Sequence, residues 1–132
     1  MNSKPKISPE QQAVVQKLNE LLQSVHTMQT AKEYGLTYKQ TLALAGLKSG
    51  IGKFLRNLRY QDEYDVMIKL IAQMRQAWEG NSDMKPMHVT LEDGRKLSIG
   101  ASEVQSIVNK IKTAEPLRNL VERIFEVTDN VS

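Results

Sequence analysis

The stretch Leu36–Arg59, LTYKQTLALAGLKSGIGKFLRNLR, decides how the fold is read, because two short helical patterns meet in it across a glycine. Thr37 is followed three residues on by Gln40, the spacing of a capping box in which hydroxyl and amide satisfy each other's orphan backbone donors. A helix is expected to start there, run to Ala45 and stop at Gly46, since glycine takes the left-handed conformation past a helix end without a Cβ penalty. A second short helix is expected from Ser49. On it Ile51, Phe54, Leu55 and Leu58 fall in one sector and Ser49, Lys53, Arg56 and Asn57 on the opposite side, so one face is core and the other a row of hydrogen-bond donors.

Two short helices joined at a glycine, the second carrying Arg, Lys, Asn and Ser outward, resemble a helix-turn-helix, whose second helix presents such side chains to groove edges and phosphates. The resemblance covers about one sixth of the chain and implies a nucleic-acid surface formed by Lys39, Lys48, Ser49, Lys53, Arg56, Asn57 and Arg59. Leu42 departs from it by standing where a small residue usually lets the helices approach, and Ile51 comes one position early. Gly50 and Gly52 weaken the second helix by up to ~1 kcal/mol each relative to Ala. The competing reading is an αα-corner whose polar face is only solvated.

Charge singles out the same stretch. The net charge of the 132 residues is +3, yet no acid stands between Tyr34 and Gln61, where Lys39, Lys48, Lys53, Arg56 and Arg59 contribute +5. The remainder therefore sums to −2. A positive segment of this kind suits a polyanion or an acidic protein surface and does not distinguish them. Tyr34, Tyr38 and Tyr60 near it could stack on unpaired bases, although tyrosines beside helices more often pack with a wet hydroxyl.

Outward toward the N-terminus, residues 1–7 are expected to form a flexible arm. Ser8, Pro9 and Gln11 then give an N-cap, a first-turn proline and a capping-box amide. Val14, Val15, Leu18, Leu21, Leu22, Val25 and Met28 hold helical spacing, predicting one long amphipathic helix that continues toward Tyr34 and ends at Gly35. The stripe is long enough to meet a partner or a second copy through Leu18, Leu21, Leu22 and Val25, so a homodimer is an expectation.

Toward the C-terminus, Tyr64, Met67, Ile68, Ile71, Met74 and Trp78 predict a further helix between Tyr60 and Gly80, with Asp62, Glu63 and Asp65 complementing the positive end of its dipole. After the loop from Gly80 to Pro86 the period changes to two. Val89 and Leu91, a turn around Asp93-Gly94, then Leu97 and Ile99 predict a β-hairpin over 87–99, whose apolar face must lie on helices or on another copy. Ser102 with Gln105 suggests another capping box before the helix carrying Val104, Ile107, Val108 and Ile111. Pro116 opens a last helix through Val127, and 128–132 is a polar tail.

Composition sets the outer bounds. A hydrophobic fraction of 40% and a charged fraction of 25% match an ordinary globular domain. The absence of cysteine excludes disulfides, thiolate metal sites and a cysteine nucleophile. No apolar run approaches a membrane span, and the first ten residues lack a signal-peptide core, so no membrane contact and a cytoplasmic location are expected. His26 and His88 have no carboxylates placed to make them bases or ligands. GLKSGIGK fails as a phosphate-binding loop, because Leu47 replaces its first glycine and Phe54 its hydroxyl residue.

These readings combine into a mostly α domain, α+β by strict accounting, over residues 8–127. About six helices are expected, with one hairpin before the last two. The expected function is that of a small non-enzymatic regulatory or interaction protein, without metal or cofactor, that binds nucleic acid through residues 36–59. The alternative is a protein-binding module using its first helix or its hairpin edge.

Overall fold

The computed structural model describes residues 5–81 and 85–129. Among these, six helices and one hairpin follow in the order α1 (Pro9–Gln23), α2 (Thr27–Tyr34), α3 (Tyr38–Leu55), α4 (Gln61–Trp78), β1 (Met87–Thr90), β2 (Lys96–Ile99), α5 (Ala101–Lys112) and α6 (Glu115–Asp129). The expected architecture is present, but its six helices are divided differently in two places.

The first difference is that α3 runs unbroken through Gly46. Two of the three expected capping boxes form: Ser8 N–H donates to Gln11 Oε1 at 3.0 Å, and Thr37 N–H to Gln40 Oε1 at 2.9 Å. Gly46, however, does not terminate anything. Positive φ occurs at Gly35, Gly80 and Gly94 among the described residues, and Gly46 is not one of them. Its lack of a side chain serves packing instead, because a Cβ built there would lie 3.2 Å from Ile107 Cδ1 of α5. The helix-turn-helix reading is thereby corrected. A glycine that admits a neighbouring helix and one that ends its own helix look alike in sequence.

The second difference is that the long first helix breaks at Ser24. Ser24 Oγ donates to Leu21 O and Val25 N–H to Leu22 O, closing the last turn tightly, and His26 is extended at φ −98° and ψ 104° before α2 begins. The Val25 carbonyl freed by this break accepts from Lys48 Nζ on α3. Gly35, at φ 62°, ends α2 as expected.

The apolar stripe of α1 is spent inside the domain. α1 packs on α3 and α6, and Leu18 and Leu22 are 0% and 3% exposed. These two residues therefore cannot form a partner surface on the folded chain, and the expectation that they do is corrected. Leu21 and Val25 are half-buried against the same core. The N-terminal arm is also shorter than expected: Ile7 is buried, Ile7 N–H donates to Arg59 O, and Gln61 N–H donates to Pro5 O. Residues 1–4 of the arm, 82–84 of the loop and 130–132 of the tail lie outside the described residues.

The hairpin pairs Met87 with Ile99 and Thr90 with Lys96. It lies on the helices rather than standing free. Leu91 is buried, Met87 and Ile99 pack against the core, Glu92 N–H donates to Asp62, and Arg95 bridges Glu63 at 2.9 Å. Helix α5 begins at Ala101 behind Gly100, which carries no side chain to cap it, so the box expected from Ser102 and Gln105 does not form. Pro116 stands in the first turn of α6, whose far end is tied to α4 by Arg75–Asp129 at 2.8 Å. No helix among the described residues is long and apolar enough to cross a membrane.

Candidate nucleic-acid interface

The C-terminal half of α3 and the few residues after it carry four of the five predicted cations, Lys48 and Lys53 within the helix and Arg56 and Arg59 beyond its end, and the helix period sorts them. Lys48, Gly52 and Arg56 recur every four residues and so form a row along one side of the helix. That row faces α1, where Lys48, Gly52 and Arg56 line a hollow of about 390 Å³ together with Asn19 and Gln23. Leu22 and Leu55 complete the wall, and no acid contributes to it. A Cβ built on Gly52 meets nothing within 4 Å, so the missing side chain leaves the space open.

Two hydrogen bonds order the donors of this hollow, one reaching outside it and one running along its α1 wall. Lys48 spends one of its three N–H groups on Val25 O, which positions the ammonium and leaves two for a ligand. Gln23 Nε2 donates to Asn19 Oδ1 at 3.4 Å, one turn apart on α1. Lysine, arginine and two carboxamides around a concavity without a carboxylate form a donor set for an anion.

Lys53 and Asn57 face the other way. They line a second hollow, of about 240 Å³, with Glu63, Leu91 and Arg95 at the hairpin. Arg95 there is committed to Glu63 and Asp93, whose hydrogen bonds raise its pKa above the ordinary guanidinium value. The acids opening α4 are likewise occupied. Glu63 Oε1 accepts from the N–H groups of Arg59 and Tyr60, and Asp62 from Glu63 and Glu92 N–H. They complement the start of α4 as expected, and in addition they hold the hairpin turn.

The remaining predicted residues spread out. Ser49 is exposed and its hydroxyl donates to Gly46 O. Arg56 and Arg59 are exposed and form no ion pair among the described residues. Lys39 stands fourteen residues before Lys53 on the same helix, about 21 Å away at 1.5 Å per residue. Tyr34 and Tyr38, exposed by 54% and 77%, share that distant end with Lys39, so of the three tyrosines Tyr60, next to Arg59, is the one at the end where the other cations stand. Asn19 and Gln23 carry no signal in sequence beyond being polar positions beside the α1 stripe; only the packing of α1 on α3 brings them to Lys48 and Arg56.

No protein family, curated protein or solved structure matches the chain.

Proposed function

We propose that this is a small non-enzymatic regulatory or interaction protein that binds nucleic acid through the cationic C-terminal half of α3, with a backbone phosphate seated between Lys48 and Arg56. What carries the reading is the acid-free hollow in which those two cations meet Asn19 and Gln23. Phosphate contacts from Lys, Arg and amide side chains supply affinity and position while carrying no sequence information directly. Because α3 is continuous, base reading by a recognition helix after a turn has no support, and the contact proposed is to the backbone.

The test is fluorescence anisotropy of labelled duplex and single-stranded oligonucleotides over a salt series. Affinity should fall steeply with salt, with a slope near −0.9 per phosphate contacted on duplex. Absence of binding at low salt overturns the proposal. Poly-glutamate competing as well as the oligonucleotide would instead assign the hollow to an acidic protein surface.

A protein-binding reading has support of its own at the opposite end of α3. Met28, Tyr34, Tyr38 and Leu42 are the large hydrophobic residues exposed among those described, and Leu42 is 53% exposed. They replace the buried α1 stripe as the surface for that alternative.

A further inference from the structure

The other flank of α3 faces α5 across a cleft unrelated to the phosphate hollow. Gln40 Nε2 donates to Thr113 Oγ1 at 3.0 Å, and six residues later Gly46 packs on Ile107. Rising along α3 therefore means descending along α5. The two helices are antiparallel, and the next turn sets Gly50 opposite Glu103. At that level space opens beside α3: a Cβ built on Gly50 meets nothing within 4 Å. Glycine in a helix costs up to ~1 kcal/mol relative to alanine. Close approach of Ile107 accounts for Gly46, whereas no neighbour accounts for Gly50.

What Gly50 leaves open is a cleft of about 300 Å³ between α3, α4, α5 and β2. Its walls are mostly apolar, with Leu70, Met74, Ile99 and Ile107 joined by the Phe54 ring and the Ser98 hydroxyl, while Lys53 and Glu103 supply opposite charges to the same lining. Those two form no ion pair with each other among the described residues. The volume equals the share of roughly ten liquid water molecules, at the small end of ligand pockets, so the occupant has about ten non-hydrogen atoms.

We propose that this cleft binds a small hydrophobic α-amino acid. The side chain lies among the aliphatic walls, the ammonium meets Glu103 and the carboxylate meets Lys53. Lys53 and Glu103 are both exposed and hydrated in the free cleft; a ligand with one charge pairs with only one of them, whereas a zwitterion with an apolar body pairs with both. The cleft shares no lining residue with the phosphate hollow, so the two readings are tested at separate sites although Lys53 stands on the same cationic stretch.

The experiment titrates the full chain with leucine and phenylalanine, following amide chemical shifts. Isocaproate and isoamylamine, which keep the apolar body and one charge each, are the comparators. Leucine or phenylalanine should shift the amides of Ile99, Glu103 and Ile107, and either comparator should bind about tenfold more weakly, the worth of about 1.4 kcal/mol. Gly50→Leu, which fills the cleft, should abolish the shifts while the circular dichroism stays helical. If that variant does not fold, Glu103→Gln decides, and should weaken leucine while sparing isocaproate. Failure of both amino acids to bind the wild-type chain overturns the inference. So does isocaproate binding as tightly as leucine, or leucine binding a folded Gly50→Leu chain undiminished.

Discussion

Gly46 and Ile107 hold α3 and α5 in contact so close that a Cβ on Gly46 would reach Ile107 Cδ1 at 3.2 Å. Gly46→Val should therefore destabilise the domain by about 1–3 kcal/mol through overpacking. Ile107→Ala in the same chain should recover part of that loss. Thermal unfolding of the four chains in a double-mutant cycle should give a non-additive term. Additivity would mean that the two positions are not in contact.

Gly50 predicts the opposite sign only four residues away. Nothing stands within 4 Å of a Cβ there, so Gly50→Ala gains helix propensity without a clash. Stability should rise by about 0.5–1 kcal/mol, read from the midpoint of urea unfolding. A loss instead would show that α3 is interrupted near this position.

The contrast between these glycines shows what local sequence can carry. The starts of α1 and α3 were legible because Ser8–Gln11 and Thr37–Gln40 bond within four residues of chain. The hairpin was legible from its period of two around Asp93-Gly94. The role of Gly46 was not, because it depends on Ile107, sixty-one residues later in the numbering. The break at Ser24 was hidden for a similar reason: the carbonyl it frees at Val25 is satisfied by Lys48 from another helix. The candidate site was half legible. Its cations stood out as an acid-free run, whereas its carboxamides come from α1 and its grouping from tertiary packing.

Leu18 should behave as core. It is 0% exposed, so Leu18→Ala should cost about 2–5 kcal/mol. Leu18→Glu should abolish the cooperative thermal transition seen by circular dichroism, because a charge there would be buried without a partner. A folded Leu18→Glu chain that merely changed its mass in light scattering would restore the α1 stripe as a subunit contact.

Tyr64 sets an alkaline limit. It is 5% exposed, and its pKa is raised above 10.0 first by burial and then by the neighbouring Asp65 carboxylate. Above pH 10 the unfolded chain loses this proton before the folded chain does. The contribution of the neutral phenol is thus complete below the unfolded value and is lost as pH rises through the folded one. Urea unfolding between about pH 8 and 11 should show a steeper decline for wild type than for Tyr64→Phe; parallel declines would remove Tyr64 as the cause.

The cations of α3 separate phosphate contact from stability by position. Arg56→Gln removes an exposed charge without an ion pair among the described residues, so its stability cost should stay within about 0.5 kcal/mol. Lys48→Met removes a charge and also the donor to Val25 O. It should cost about 1 kcal/mol for the carbonyl left without that partner. Both should weaken oligonucleotide binding and reduce the salt slope by about one each, as loss of a phosphate contact does. Lys39→Gln, about 14 Å along the helix from Lys48, is the internal control and should leave the slope of a short oligonucleotide unchanged. If all three substitutions lowered affinity equally, the contact would follow net charge alone and the hollow between α1 and α3 would have no special part in it.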